Sequence, residues 1–539
     1  MAMTRWWRGA VIYQIYPRSF MDTDGNGVGD LPGIVEKLDY IANLGVDAIW
    51  ISPFFKSPMA DFGYDIADYR DVDPLFGNLG DFERLLAKAH GLGIKVMIDQ
   101  VLSHCSVEHE WFKKSSESRD NPKADWYVWA DAKPDGTPPN NWMSLFGGVA
   151  WRWEPRRGQY YLHNFLASQP DLNFHNPEVQ QATLDNVEFW LQKGVDGLRL
   201  DAINFCFHDR QLRDNPPKPP EQRVGRGFSP DNPYAFQYHY YNNTQPENLA
   251  FLEDLRALLD RYPGATTLGE ISSEDSLATM GEYVNDQRLH MGYSFELLTD
   301  DFSAAYIRGT AEALEAKMAD GWPCWAISNH DVQRAVTRWG GAAASDTFAK
   351  QLVALVCSLR GSVCLYQGEE LGLGEADVPY EALQDPYGKT FWPNFKGRDG
   401  CRTPMPWDDS AQAGFTTGHH PWLPIAEAHR ALAVQGQERD AESTLNATRR
   451  FLHWRKTVPA LQWGDIHFLD TSEPVLAFTR DFDDQHLLVV FNLSDAAVEW
   501  EVPGQWSPKS IDGHGLITGK VHDGILKLPA QGVFYAGID

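Results

Sequence analysis

The sequence predicts an α/β fold: a closed (β/α)8 TIM barrel, a loop-rich domain inserted after its third strand, and a C-terminal antiparallel β-sandwich. Three observations predict it. Eight short apolar runs alternate with amphipathic stretches as far as residue 367. One of them, Gly197-Leu198-Arg199-Leu200-Asp201, sends leucines to one face and charges to the other. A strand whose apolar and charged faces are both covered fits a closed barrel better than an open sheet. Beyond about Trp463 the pattern changes to short alternating strands at 475–479, 486–492 and 497–502, as in a sandwich.

In chain order the eight runs are 10–17, 47–53, 95–101, 197–202, 266–271, 290–295, 323–329 and 362–367. Between them, Phe82, Leu85, Leu86 and Ala89 recur at helical spacing, as do Phe251, Leu255, Leu258 and Leu259. Residues 179–193 form another amphipathic stretch. Two connections exceed what a plain barrel needs, and long loops in compact folds carry function. Residues 104–174 hold Trp111, Trp126, Trp129, Trp142, Phe146, Trp151, Trp153 and Phe165, aromatics that suit a core or the apolar face of a sugar. Residues 205–247 are rich in Pro, Gly, Asn and Tyr. The expected division is therefore a barrel of 1–103 and 175–461, an insertion of 104–174 and a sandwich of 462–539.

At 539 residues the chain needs two or three domains. Its formal charge of −27 argues against nucleic acid or an anionic membrane as partner, while a neutral substrate suits it. The six cysteines are scattered without metal-type spacing and read as reduced thiols. No run approaches the ~18 apolar residues of a membrane span, and no signal peptide is evident, so a cytoplasmic location is expected. A homodimer is compatible with the sequence.

Asp22, Asp24, Asn26, Val28 and Asp30 lie at positions 1, 3, 5, 7 and 9 of a glycine-containing loop. Side-chain oxygens, with the Val28 carbonyl at position 7, match the first nine places of an EF-hand loop. Position 12 is Gly33 and a strand precedes the loop, so it is not an EF-hand. Oxygen donors favour structural Ca2+, with Mg2+ as the alternative; an ion-free Asp/Asn/Gly turn is the other reading. No organic cofactor is expected.

Taken together, the motifs resemble glycoside hydrolase family 13, the α-amylase family, in its α-glucosidase and oligo-1,6-glucosidase branch. The resemblance rests on Val11-Ile12-Tyr13-Gln14-Ile15-Tyr16-Pro17, the Asp99 to His104 segment, and Gln169-Pro170-Asp171-Leu172-Asn173. It continues through the Gly197 to Asn204 segment, Leu268-Gly269-Glu270-Ile271, Ser328-Asn329-His330-Asp331 and Arg398-Asp399-Gly400-Cys401-Arg402-Thr403-Pro404. It implies Asp201 as nucleophile, Glu270 as general acid/base and Asp331 as third carboxylate. Retention at an acetal needs an anion on one face of the anomeric carbon and a proton donor on the other. Arg199, two residues before Asp201, would keep it ionised, and the charges of Asp201 and Asp331 would keep Glu270 protonated.

The resemblance further implies that His104 and His330 bond the sugar, that Asp61 and Arg398 bracket its far hydroxyls, and that Tyr64 stacks beneath the ring. Phe146, Phe165 and Phe295 would be further walls. Two departures bear on this. Ser103 stands where many α-amylases carry a calcium-binding Asn, which leaves the Asp22–Asp30 loop as the better ion site. Ala202 follows the nucleophile where Val goes with α-1,6 cleavage, so α-1,4 preference is expected, worth ~1–3 kcal/mol of discrimination. The expected activity is exo-cleavage of maltose and short α-glucosides, with transfer to acceptor alcohols or sugars. A glucosyltransferase or sucrose isomerase on the same scaffold is the near alternative. A non-catalytic transporter-associated relative is the remote one.

Overall fold

The computed structural model describes residues 5–223, 231–318, 320–342 and 344–538, so residues 224–230 of the long second loop lie outside the described residues. Eight parallel strands close into a barrel, each hydrogen-bonded to the next in sequence and the last to the first. They are β1 (Val11–Ile15), β2 (Ala48–Ile51), β3 (Lys95–Val101), β4 (Gly197–Asp201), β5 (Thr266–Ile271), β6 (Met291–Ser294), β7 (Trp322–Trp325) and β8 (Ser362–Tyr366). Every apolar run of the sequence supplies one strand. All but the Lys95 end of β3 are buried, because outer helices cover one face and the barrel's own interior the other.

The outer layer includes α1 (Leu31–Leu44), α2 (Leu79–Gly91), α3 (Pro177–Gln192), α4 (Asn248–Leu259), α5 (Ser276–Tyr283), α6 (Ala304–Lys317) and α7 (Asp346–Ser358). Local chemistry starts them. Asp30 accepts the Gly33 amide ahead of α1, and Asn78 and Asp81 form a capping box on α2. Asn176 caps α3 directly before Pro177, whose missing N–H costs nothing in the first turn. The buried stripe of α2 is Phe82, Leu85, Leu86 and Ala89, and that of α4 includes Phe251, Leu255, Leu258 and Leu259, the residues whose spacing marked them.

Between β3 and α3 the chain builds a three-stranded antiparallel sheet from Trp129–Ala130, Gln159–Leu162 and Trp151–Glu154. Trp142 and Trp151 are buried in its core, whereas Trp153 is 43% exposed. The loop after β4 has no strand among its described residues and is tied to this insertion by buried amides. Asn242 donates to Asn164 at 2.8 Å, and Asn215 donates to Asn242 at 2.9 Å. At the C-terminal end, one sheet runs in the order Asp465–Phe468, Val475–Phe482, Gln485–Asn492, Val533–Gly537 and Lys509–Ser510. Its alternation serves two cores. Leu476, Phe478, Val489 and Phe491 join the main core, while Ala477, Leu488, Val490 and Phe534 face Leu526 and Leu528 of a second, three-stranded sheet. No described helix is long and apolar enough to cross a membrane.

Candidate active site

Barrel register brings the charges together. Asp99 on β3 lies opposite Arg199 on β4, and Val101 opposite Asp201. Arg199 is fully buried, and one guanidinium serves three carboxyls. Nη1 donates to Asp201 at 2.7 Å and to Asp99 at 2.9 Å, and Nη2 lies 2.5 Å from Glu270. The Tyr293 hydroxyl donates to Glu270 Oε1 at 2.9 Å, and the Ala202 amide donates to Oε2 at 3.1 Å. That amide points there because Ala202 turns into the left-handed region (φ 40°, ψ 47°) directly after the strand. Such a turn is unusual for a non-glycine residue and is easiest for a small, unbranched side chain.

A second cluster faces the first. Arg398 donates to Asp61 at 2.8 Å, to Asp385 at 2.9 Å and to Asp331 at 3.0 Å, and Arg402 donates to Asp331 at 2.9 Å. Between the clusters lies a cavity of about 530 Å3 at the C-terminal mouth of the barrel. Asp201, Ala202, Glu270, Asp331, Asp61, Tyr64, His104, Phe146, Phe165, Phe295 and Arg398 all line it. Arg199 and His330 stand behind the lining, with no exposed surface. The His330 ring stacks on Tyr64, with centroids 5.2 Å apart. Its Nδ1 faces the Gln14 amide at 2.8 Å, and Nε2 lies 3.2 Å from Asp331. Phe165 packs against His104 and Phe205, and Phe146 lies beneath the Arg398 guanidinium.

Burial sets the acidities. It pushes Asp201 and Glu270 up to about 7 and Asp99 up to about 6, in each case against the pull of Arg199. The negative charges of Asp201 and Asp331 raise Glu270 further, but they are smaller contributors than burial, which the sequence alone does not disclose. Three carboxyls around one guanidinium share their protons and titrate as a unit. Burial also opposes the charge on Asp331, yet His330, Arg398 and Arg402 prevail and hold it well below the usual carboxylate range. Burial lowers His104 and His330 to about 3, leaving both rings neutral at neutral pH.

The site also contains residues that sequence reasoning passed over. Asp99 and Gln169 lay inside quoted motifs without a role; Gln169 donates to Asp61 at 3.1 Å. Tyr293 showed only as a polar-tipped residue in an apolar run. Phe205 ends the 3-10 turn Ile203–Phe205, and Asp385 caps the six-residue helix Pro386–Phe391 that carries Tyr387; both elements are too short for periodicity to mark them.

The Asp22–Asp30 loop lies apart from the cavity lining, against residues 415–422. Asp22 is fully buried, and its amide donates to the Phe415 carbonyl. Asp22, Asp24 and Asp30 each bring a carboxylate oxygen within 4.8 Å of the others. An oxygen-only donor set fits a hard cation. The Asn26 side chain bonds the Val28 amide and Asp24, which stiffens the loop. All six cysteines are free and buried.

Comparison with known proteins agrees with this architecture. The family profile for the α-amylase catalytic domain matches residues 14–464, and that for the maltogenic amylase C-terminal domain matches residues 466–512. A probable α-glucosidase of Rhizobium meliloti (strain 1021) is 54% identical over 535 residues, covering 98% of this chain and 97% of the relative. An oligo-1,6-glucosidase of Heyndrickxia coagulans is 38% identical, covering 93% and 94%. The crystal structure of an α-glucosyl transfer enzyme superposes with a TM-score of 0.98 at 70% identity, covering 99% of this chain and all of the other.

Proposed function

The chain belongs to the α-amylase family of glycoside hydrolases, family 13, and we propose that within it the protein is a retaining, exo-acting α-glucosidase. It removes the terminal α-1,4-linked glucose of maltose and short oligosaccharides and delivers it to water or to an alcohol. One observation carries this reading. Asp201 and Glu270 are bound to the two ends of a single guanidinium. That arrangement favours the short carboxyl separation of ~5–5.5 Å used for double displacement over the ~6.5–9.5 Å that leaves room for an inverting water.

In the first step Asp201 attacks the anomeric carbon, the glycosidic C–O bond breaks, and Glu270 gives its proton to the departing oxygen. In the second, a water or alcohol oxygen attacks the same carbon. Its proton passes to Glu270, and the bond to Asp201 breaks with the electron pair returning to the carboxylate. Asp331, held ionised by Arg398 and Arg402, grips sugar hydroxyls more strongly as the ring flattens. Neutral His104, on the lining, donates or accepts without adding charge, and neutral His330, behind it, supports Asp331 at 3.2 Å. Asp61 and Arg398 pair on the cavity lining, placed to bracket the far hydroxyls of a terminal glucose, which supports attack on chain ends. Tyr64, Phe146, Phe165 and Phe295 supply apolar walls for the C–H faces of the sugar.

Transfer follows from the covalent intermediate, and the likeness to an α-glucosyl transfer enzyme supports it. Ala202 supports α-1,4 preference, since it lines the cavity beside Asp201 and leaves space that a branched side chain would take. The Asp22–Asp30 loop would hold Ca2+ or Mg2+ through its carboxylates in a structural role. Trapping with a slow fluorinated glucosyl donor, followed by peptide mass spectrometry, tests the reading. The glucosyl mass is expected on the peptide containing Asp201, and its appearance on any other peptide would refute the assignment.

A further inference from the structure

The acceptor side of the cavity carries a charge arrangement that the mechanism above does not use. Beyond the catalytic carboxyls, the wall is formed by the loop after β4 and by the segment after β5. Lys218 from the first and Glu274 from the second meet at 2.8 Å, both mostly buried. Glu274 is held in place by the His239 amide, which donates to its other oxygen at 2.9 Å. Lys218 and Arg398 are the only Lys or Arg side chains on the lining among the described residues. Arg398 is already committed to Asp61, Asp331 and Asp385.

The two clusters around the cavity therefore set six carboxyls, on Asp99, Asp201, Glu270, Asp61, Asp331 and Asp385, against three guanidiniums, on Arg199, Arg398 and Arg402. A proton on Glu270 still leaves an excess of negative charge. The cavity of about 530 Å3 is, as a sphere, roughly 10 Å across, about one Debye length at 0.1 M salt. A group in the acceptor half thus feels that charge, and among the described residues no unpaired Lys or Arg of the lining offsets it while Glu274 neutralises Lys218.

We propose that Glu274 is a specificity-determining residue: by holding Lys218 in an ion pair it leaves the acceptor side under the negative field of the site. Leaving groups and glucosyl acceptors must then be neutral or cationic, and phosphorylated or carboxylated sugars are refused. This inference rests on the glucosidase reading above and names the charge class of group which that site accepts.

Three aryl α-glucosides that differ only at the 4-position of the ring (methyl, carboxylate, trimethylammonio) test it. The readout is the ratio of kcat/KM for the carboxylate over the trimethylammonio substrate, compared between proteins so that intrinsic leaving-group reactivity cancels. Glu274→Gln keeps an acceptor for the His239 amide and frees the Lys218 charge, and it should raise the ratio about tenfold. Lys218→Met leaves the Glu274 charge unpaired and should lower it by a similar factor. In the unaltered enzyme, added salt should move the ratio toward the value set by reactivity alone. A merely structural role would shift both variants the same way, and that result, or no shift in either, would overturn the inference. Failure of the unaltered enzyme to cleave the neutral 4-methyl substrate would instead sink the glucosidase reading itself.

Discussion

Arg199 spends one side chain on Asp99, Asp201 and Glu270, and each of the three has a separate consequence. Replacing Glu270 by Gln removes the proton donor and should cost about 10²–10⁴ in kcat/KM on maltose. Turnover of a substrate whose leaving group needs no protonation should fall far less, which a comparison of maltose with glucosyl fluoride would read. The pH profile follows from the same residue. With Glu270 raised to about 7, the acid form is lost as pH rises through that value, so the alkaline limb of kcat/KM should lie near neutrality. Asp99 has the opposite leverage. Its negative charge raises Asp201, so Asp99→Asn should lower the pKa of the nucleophile and keep it ionised in more acid solution. The acid limb of the profile should therefore move to lower pH; a move to higher pH would contradict the shared-guanidinium account.

Two elements position these residues, and they differ in how plainly the sequence announced them. The β4 strand was legible, because Leu198 and Leu200 alternate with Arg199 and Asp201. The left-handed turn at Ala202 was not, since alanine carries no preference for that conformation, and neighbours impose it. Ala202→Val places a β-branched side chain at φ 40°, costing about 1–2 kcal/mol, and crowds the acceptor side. It should raise the isomaltose-to-maltose ratio of kcat/KM, measured alongside a lowered Tm. The convergence of Asp22, Asp24 and Asp30 was legible from their places at alternate positions of a glycine-containing loop. If Ca2+ occupies it, removal by a chelator should cost about 2.7 kcal/mol at a hundredfold excess of ion over Kd, seen as a fall in Tm that added Ca2+ restores. The Asp22→Asn protein should show a smaller response to both. The amide network of Asn164, Asn215 and Asn242 gave no signal, because asparagine in a loop reads first as a turn former.

For the whole molecule, periodicity disclosed most because burial imposes it. Eight strands covered on both faces must be apolar, and the sandwich must alternate because its two faces serve different cores. Asp201 stood out through the alternation of its strand, and Glu270 and Asp331 through the motif resemblance; the fold sets all three on the lining of one cavity. Asp385 and the Lys218–Glu274 pair were not, since long-range pairing of loop residues depends on how the loops fold back. The assembled cavity makes one central claim, that glucose leaves through a covalent bond to Asp201 with its configuration kept. A proton NMR time course of the pure enzyme with maltose and a small alcohol measures this directly. The account predicts α-glucose as the first-formed anomer, with the α-glucoside of the alcohol accumulating beside it. β-Glucose appearing first would mean single displacement by water and would contradict the assignment of Asp201 as nucleophile.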